Sequence, residues 1–355
     1  MARILYGIHG SGHGHSMRGL TIARNLRDKH EFLFIAADDA LSLLHPEFNV
    51  HVIPNLGSIF RDYQLKVWET ITHSIPILLQ RNKYIKEVMQ VMEEFKPDVC
   101  ITDLEYFVPI AAKRMGIPCL NLSHQHIITL CEHKLPKRML WDFYLQGLTP
   151  RFLFTPQEQN LIVAFYNAPV RAGYNAKVCP PILRDAIINA KPRDDGHVLV
   201  YQSVSTHKHL VDFISKSKSR KYYVFGYQKN EEVKDNVHFM KKSEKAFLEV
   251  LEGASYVIQG GGHTLMTESL YLKKPILTFP IDSMIEQEFN ALYLERLGIG
   301  MAADMYNIPE DLLQRFEDKL DLFKENMQKH SFCGNELVFG LVDEFACNGK
   351  LTFTN

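Results

Sequence analysis

The chain has 355 residues, of which 46% are apolar and 23% charged, so it has enough apolar material for buried cores and lacks the bias of a disordered chain. The 40 lysines and arginines against 41 aspartates and glutamates leave a net charge of −1, without the basic field of a nucleic-acid-binding protein. No apolar run approaches the ~20 residues that cross a bilayer, and the start lacks a signal-peptide pattern. We therefore expect a cytoplasmic protein with no nucleic-acid partner.

Short apolar runs alternate with longer amphipathic segments, which is typical of strands joined by crossover helices in a mainly parallel sheet. The first half is predicted to contain strands at 3–8, 32–36, 50–53, 99–102 and 119–122 and helices at 15–29, 68–95 and 108–115. The second half is predicted to contain strands at 197–201, 222–225, 237–239, 256–259 and 276–279 and helices near 209–217, 243–252, 263–272 and 285–297. The pattern occurs twice, so we predict an α/β chain with two similar domains.

Proline, glycine and charged residues interrupt this pattern between the two halves, where neither a strand nor a helix can run far. We therefore predict an N-terminal domain at 1–180, a linker at 181–196, a second domain at 197–332 and a C-terminal helix and tail at 333–355.

A glycine-rich turn, GSGHGH, follows the first predicted strand and precedes a helix. Gly12 and Gly14 let the backbone approach a ligand, and the helix start attracts negative charge. Histidine is well suited to take a proton near neutral pH, so we predict His15 as a catalytic base with His13 in reserve. An ordinary tight turn is the competing interpretation. A metal between the two histidines would lack a third ligand nearby.

Further polar residues follow the next two strands of the first half, at the edge where parallel α/β sheets bind ligands. Asp103 is predicted to orient a histidine and stabilise its imidazolium, with capping of the next helix as the alternative. Glu105 and His124 are assigned, with Gly12 and Gly14, to the side that binds an acceptor.

A second glycine turn, GGGHT, lies between a strand and a helix of the second half. Gly261 and Gly262, followed by His263 and Thr264 at the helix start, are typical of a diphosphate site. Glu268, one turn further along the helix, could accept the hydroxyl protons of a ribose. A solvated helix glutamate is the alternative interpretation.

Glu286 and Gln287 follow the next strand, ILTF, and are predicted to bind sugar hydroxyls. The competing interpretation is that they only form the polar start of a helix.

These motifs resemble a known group of enzymes. The G-x-G-x-G-H turn followed by SMRGL, the segment VCPPILR, and the run from GGGHTLMTESLYL to IEQEFNALYLERLGIG are similar to GT-B glycosyltransferases related to the peptidoglycan lipid II N-acetylglucosaminyltransferase and glycosyltransferase family 28. The segments KPDVCITDLE and GIPCLNLSHQH are similar to a subgroup of uncharacterised bacterial and archaeal sugar transferases.

The resemblance implies two Rossmann-like domains facing across a cleft, with the C-terminal helix returning to the first domain. It places a nucleotide-sugar donor, with UDP as the nucleotide, on the second domain and the acceptor on the first. By motif, His15 matches a histidine that ends the N-terminal turn in the related enzymes. The donor contacts implied are Gly261, Gly262, His263, Glu268, Glu286 and Gln287. Ser203 is assigned to the phosphates, although relatives have a glycine-rich turn there.

The sequence therefore predicts a hexosyltransferase-type glycosyltransferase that acts on a hydroxyl acceptor such as a cell-envelope glycan, lipid or small metabolite. The chain has no Asp-x-Asp motif, so we expect neither a metal nor another cofactor. A UDP-sugar hydrolase or epimerase of the same fold is the alternative, because such hydrolases share the G-x-G-H-x-x-R-x-L start. Basic and apolar residues at 134–141 suggest peripheral contact with the inner face of a membrane, with a solvated surface turn as the competing interpretation.

Overall fold

The computed structural model describes residues 1–57, 59–61, 64–201, 208–226, 231–281 and 284–353. Two compact units are present. Unit 1 comprises Met1–Ile59, Lys66–Arg184 and Cys333–Asn355, and unit 2 comprises Phe60–Leu65 and Asp185–Phe332.

The strands alternate with helices in both units, which confirms the α/β class. In chain order the strands are β1 (Arg3–Ile8), β2 (Glu31–Ala36), β3 (Asn49–Val52), β4 (Phe60–Arg61), β5 (Gln64–Leu65), β6 (Val99–Asp103), β7 (Cys119–Ser123), β8 (Gln159–Val163), β9 (Ala176–Cys179), β10 (His197–Tyr201), β11 (Tyr222–Phe225), β12 (Glu232–Lys234), β13 (Val237–Phe239), β14 (Ala254–Gln259), β15 (Ile276–Thr278) and β16 (Gly300–Ala302).

The helices are α1 (His13–Leu26), α2 (Asp39–Leu44), α3 (Val67–Leu79), α4 (Arg81–Phe95), α5 (Phe107–Met115), α6 (His126–Leu130), α7 (Leu140–Phe152), α8 (Asp185–Ile188), α9 (Lys208–Lys216), α10 (Glu244–Gly253), α11 (His263–Tyr271), α12 (Ile285–Arg296), α13 (Leu312–Glu317), α14 (Leu320–Met327) and α15 (Asn335–Asn348). A 3-10 turn at Lys137–Met139 precedes α7. None of the helices among the described residues is long and apolar enough to span a bilayer.

Unit 1 is built on a seven-stranded sheet with the order β3-β2-β1-β6-β7-β8-β9, and every pairing in it is parallel. The sequence predicted five of these strands and missed β8 and β9. Apolar cores cover both faces, one beneath α1 and α15 and the other beneath α4 and α5. Burial on both faces explains why the central strands are continuous apolar runs.

Unit 2 has its own seven-stranded sheet, with the order β12-β13-β11-β10-β14-β15-β16. Within this sheet the edge strand β12 pairs antiparallel with β13, and the other pairings of its described strands are parallel. The short strands β4 and β5 form a separate antiparallel pair. The short strands β12 and β16 were not predicted. Each has three residues, too few for a period to show.

The C-terminal helix α15 returns to unit 1, as predicted. Val338, Val342 and Phe345 are fully buried in the core that also contains α1. Asp343, on the same helix, bonds the Nε2 atom of His30 at 2.8 Å and pairs with Lys29. Apolar burial and ion pairing together hold the tail on unit 1.

Two boundaries differ from the predictions. The helix expected over 68–95 is two helices, because the backbone leaves helical angles at Gln80 (φ −94°, ψ 9°). The segment 185–196, predicted as part of a linker, belongs to unit 2. It contains α8, and Arg193 in it bonds Glu252 at 3.0 Å.

Candidate active site

The first polar cluster lies at the carboxyl ends of β1 and β6. Parallel pairing sets Ile8 beside Asp103, the last residue of β6, and the His9 amide bonds the Asp103 carbonyl oxygen at 3.0 Å. The glycine turn then leads from β1 into α1, which carries His15 in its first turn and Arg18 one turn later. Sheet register and helix period thus bring three charged or titratable side chains together.

Asp103 is the centre of this cluster. Its Oδ1 atom is 2.8 Å from Nδ1 of His15, and Arg18 donates to Oδ2 through Nε at 2.7 Å and to Oδ1 through a terminal nitrogen at 2.9 Å. The Asp103 side chain is completely buried, whereas 11% of the His15 side chain remains exposed. His15 is therefore the most exposed member of the cluster, followed by Arg18 at 8%, and Asp103 is closed to a ligand.

Burial by itself would raise the pKa of Asp103, but the charges of Arg18 and His15 and their hydrogen bonds outweigh it and hold that pKa below its ordinary value. Asp103 is therefore ionised at neutral pH. Nδ1 of His15 lies 2.8 Å from Oδ1 of this carboxylate but 3.2 Å from the Arg18 guanidinium, so the shorter, charge-assisted bond assigns the proton to Nδ1. This tautomer leaves a lone pair on Nε2, as a general base requires.

Two neighbours complete the surroundings of the His15 ring. The Gln125 side-chain amide nitrogen is 3.3 Å from Nε2 and donates to its lone pair. His9 packs edge-on against the ring, with centroids 5.3 Å apart. Burial, reinforced by the charge that His15 can carry, lowers the pKa of His9 to about 3, so His9 stays neutral and adds no competing charge at neutral pH.

The sequence did not single out Arg18 or Gln125 as functional residues. Arg18 is buried and lies three residues after His15 on the same helix, a spacing that could have indicated a shared partner. Gln125 follows the end of β7 and lies between two histidines in the sequence. Its position near His15 depends on strand order, which the sequence pattern does not reveal.

Glu105 has the capping role that was considered for Asp103. Its carboxyl oxygens accept the amides of Phe107 and Val108 at the start of α5, at 2.9 and 2.5 Å. Burial raises the pKa of Glu105 to about 7, although these amide bonds oppose the increase. Leu104, between the two acids, has a φ of 51°, a strained angle for a branched side chain. This turn sends the two carboxyl groups in different directions.

His124, predicted on the acceptor side, lies in the interior of unit 1. Only 1% of it is exposed, and its Nδ1 atom bonds the Val163 carbonyl oxygen at 2.9 Å. The structure therefore gives His124 a packing role, which differs from the prediction.

The first glycine turn needs Gly12 for its backbone angle, because φ is 76° where α1 begins. The Gly12 amide donates to the Asp39 carboxylate at 3.1 Å, so one of the donors at this helix start is already bound to an acid. His13 is exposed in the first turn of α1, and Gly14 follows it. Of the two histidines, His15 bonds Asp103.

The second cluster lies in unit 2, where the triple-glycine turn joins β14 to α11. Gly261 has a φ of 90°, and a Cβ atom there would lie 3.1 Å from Cβ of Gln287 and 3.3 Å from Oγ1 of Thr278. Gly262 is exposed, with open space around the position of a Cβ atom. The turn thus needs a glycine at 261 for packing and leaves 262 open at the helix start.

Helix α12 braces this turn from behind. Asn290 is fully buried and donates to the Gly261 carbonyl oxygen at 3.0 Å. Gln287, which was predicted to bind the sugar, accepts the Ile281 amide at 2.9 Å through its side-chain oxygen. That oxygen therefore has a structural role in the fold. Glu286 is half-buried in the first turn of α12.

Helix α11 carries the remaining predicted donor contacts. His263 and Glu268 are 8% and 5% exposed, and Thr264 is half-buried. Thr264 and Glu268 are four residues apart, so they lie on one face of the helix about 6 Å apart along its axis. Ser203 lies outside the described residues.

Within the part of the chain that is described, His30, Asp343 and Cys347 come close enough together to hold a metal ion. The histidine nitrogens are already used: Nδ1 accepts the Ala2 amide at 3.2 Å, and Nε2 bonds Asp343. A metal-bound histidine usually donates through its second nitrogen, whereas here that nitrogen is an acceptor. The cluster therefore anchors α15 and does not have the hydrogen bonding of a metal site.

The comparisons with known proteins agree with this architecture. Uncharacterised glycosyltransferases from Methanosarcina mazei and Methanosarcina acetivorans are 23% and 24% identical to the chain, and each alignment covers 90% of it and 90% and 88% of the relatives. A kitacinnamycin glycotransferase structure matches with a TM-score of 0.71 and 17% identity over 97% of this chain and 98% of the other. MurG from Acinetobacter baumannii gives 0.62 and 15% over 97% and 100%.

VinC, solved in complex with DTDP, gives a TM-score of 0.61 and 15% identity over 96% of this chain and 99% of the other. The neighbouring structures are GT-B glycosyltransferases and cover nearly the whole chain, which confirms the predicted fold. Residues 2–321 match the family described as glycosyl transferase family 1. The chain is therefore a glycosyltransferase that belongs to this family and has the GT-B fold.

Proposed function

We propose that the protein transfers a hexose from a UDP-sugar to a hydroxyl acceptor, with His15 as the general base and without a metal ion. The observation that carries the proposal is the 2.8 Å contact between His15 and the buried carboxylate of Asp103. This contact fixes a basic Nε2 atom at the ligand-binding edge of the unit 1 sheet.

In the proposed reaction, the acceptor hydroxyl gives its proton to Nε2 of His15. Its oxygen attacks the anomeric carbon, the bond from that carbon to the diphosphate oxygen breaks, and UDP leaves. Asp103 stabilises the resulting imidazolium without taking the proton. The hydroxyl takes the place of the Gln125 amide on Nε2, so Gln125 marks where the acceptor binds.

The donor is proposed to bind at the start of α11. Negative charge on the diphosphate is favoured there by the amides and dipole of the helix N-terminus, next to the open position at Gly262. Thr264 lies on the same helix face as Glu268, which is proposed to accept the ribose hydroxyls. The spacing of about 6 Å along the helix suits a phosphate and a ribose bound in sequence.

Replacement of Glu268 by alanine is expected to weaken UDP binding by about 10- to 150-fold, because a hydrogen bond to a charged group contributes about 1.5–3 kcal/mol. Isothermal titration calorimetry of the full chain with UDP measures this change. The matched control is Glu249→Ala, an exposed glutamate of α10 in the same unit, which should bind UDP like the wild type. Equal affinity of the Glu268 variant and the wild type would remove this residue from the donor site.

The function itself is tested by UDP release from a panel of UDP-sugars, with and without a lipid and glycan extract, in excess EDTA. We expect slow release from donor alone and faster release with acceptor, accompanied by a new glycoside. Because VinC was solved with DTDP, the panel includes the corresponding DTDP-sugars. Rapid release that yields free sugar without an acceptor would favour the hydrolase alternative. Activity that EDTA abolishes and Mg²⁺ restores would contradict the metal-free mechanism.

A further inference from the structure

We propose that α3 and α7 of unit 1 form a docking face for the surface of a bilayer that carries anionic lipids. This inference is independent of the donor and acceptor chemistry proposed above. The aromatic face, as we call it, is defined by eight exposed large side chains: Trp68, Ile71, Ile75, Leu79, Leu140, Trp141, Tyr144 and Leu145.

The exposure of this face is unusual for a solvated surface. Trp68 and Leu79 are 79% and 81% exposed, and Trp141 is 75% exposed. These include both tryptophans of the chain, a residue type that is highly buried on average. Large apolar side chains exposed in this number on two helices indicate an interaction site.

On α3 the exposed apolar residues follow the helix period. Trp68, Ile71, Ile75 and Leu79 are spaced three, four and four residues apart, so they form one stripe along the helix. In the sequence VWETITHSIPILL, Glu69 is the one Asp, Glu, Lys or Arg residue. Such a helix has too few charges to favour water on that stripe.

The same period occurs on α7. Tyr144 and Leu145 lie three and four residues after Trp141, so the three side chains share one face of the helix. The two helices rest on one apolar core. Leu78 of α3 and Leu153, just after α7, both pack against the cluster beneath α4 and α5. Both helices therefore lie on the side of the unit 1 sheet that this cluster covers.

The charge next to α7 favours an anionic lipid surface over a purely apolar partner. Lys134, Lys137 and Arg138 are exposed just before the helix. Residues 132–142 also contain two acidic residues, Glu132 and the half-buried Asp142, so the basic residues outnumber the acidic ones. Tryptophan and tyrosine with basic neighbours are the residues that anchor proteins at the headgroup level of a membrane.

The position of the tryptophans provides a direct test. Binding of the full chain to vesicles is measured by sedimentation and by a blue shift of tryptophan fluorescence, with vesicles of phosphatidylcholine alone and of equal parts phosphatidylcholine and phosphatidylglycerol. The single variants Trp68→Ser and Trp141→Ser each leave one tryptophan as a reporter. We expect both remaining tryptophans to shift on the mixed vesicles. We also expect each variant to bind about tenfold more weakly, from the loss of one buried apolar side chain.

If both helices contact the same bilayer, the losses of binding from Trp68→Ser and Trp141→Ser multiply in the variant that carries both changes. The double change Lys137→Gln and Arg138→Gln should lower binding to the mixed vesicles by about 25-fold, about fivefold for each charge. Leu322→Ser, and Lys241→Gln with Lys245→Gln, change exposed residues of unit 2 and should bind like the wild type.

The proposal would be overturned if the wild type fails to bind the mixed vesicles or if either tryptophan keeps its emission while the protein is bound. It would also be overturned if the emission shifts with protein concentration in the absence of lipid and Trp68→Ser or Trp141→Ser dissociates a dimer. The face would then be an interface between copies of the chain.

Discussion

Replacement of His15 by alanine is expected to lower kcat for sugar transfer by about 10²- to 10⁴-fold, the usual size of a general-base contribution. The reason is that the bond from Nδ1 to Asp103 holds the Nε2 lone pair in place. A water molecule that replaced His15 as the base in the variant would not be oriented in this way. UDP affinity should stay nearly unchanged, because the proposed nucleotide contacts, Thr264 and Glu268, belong to unit 2. Initial rates at saturating donor, together with calorimetry, separate the two effects.

His13→Ala is the matched control, since His13 is an exposed histidine only two residues away on the same helix. The bond to Asp103 that holds the proposed base belongs to His15, so we expect a change of at most a few-fold in the His13 variant. A loss in the His13 variant as large as that predicted for His15, with His15→Ala fully active, would move the base to His13.

Replacement of Arg18 by methionine is expected to lower the free energy of unfolding by about 3–5 kcal/mol, because it leaves a completely buried carboxylate without its bidentate partner. Urea denaturation followed by circular dichroism measures the change. The control is Arg27→Met, which removes an exposed ion pair with Glu47 just beyond the same helix and should cost at most about 1 kcal/mol.

The pH dependence of this loss has a definite sign. In the wild type the pKa of Asp103 is lowered by folding, so its contribution to stability is present above the ordinary value of 3.8 and is lost as the pH falls through the lower, folded value. Without the charge and hydrogen bonds of Arg18, we expect the pKa of Asp103 to be higher than in the wild type, so protonation at acid pH removes the uncompensated charge from the variant. The difference in stability between the two proteins should therefore shrink on acidification.

Asp103→Asn in the Arg18→Met background removes the uncompensated charge and should restore part of the stability. This double-mutant cycle isolates the ion pair, because the residues are in direct contact. If Arg18→Met costs no more than Arg27→Met, the pair does not stabilise the fold as proposed.

The sequence alone determined the features that depend on local pattern. Apolar runs of strand length alternating with amphipathic segments specify the α/β class because burial on both faces of a parallel sheet requires them. Gly12 and Gly261 could be recognised because a chain that turns from a strand directly into a helix needs backbone angles that other residues avoid. The same turn indicated His13 and His15 as candidate bases, and the resemblance to related enzymes favoured His15. The short strands β12 and β16 carried no comparable signal.

Tertiary structure decided which side chains meet. Asp103 is 88 residues from His15, and Arg18 and Gln125 join them only through the pairing of β6 with β1 and the position of β7 beside β6. The sequence predicted Asp103 as the partner of a histidine and Glu105 on the acceptor side. In the structure Leu104 between them has a positive φ, and Glu105 instead bonds amides at the start of α5. The local sequence pattern indicates whether a residue lies on the buried or the exposed face of its helix or strand. Its partners are decided by strand order and register, which are set by the packing of the whole sheet.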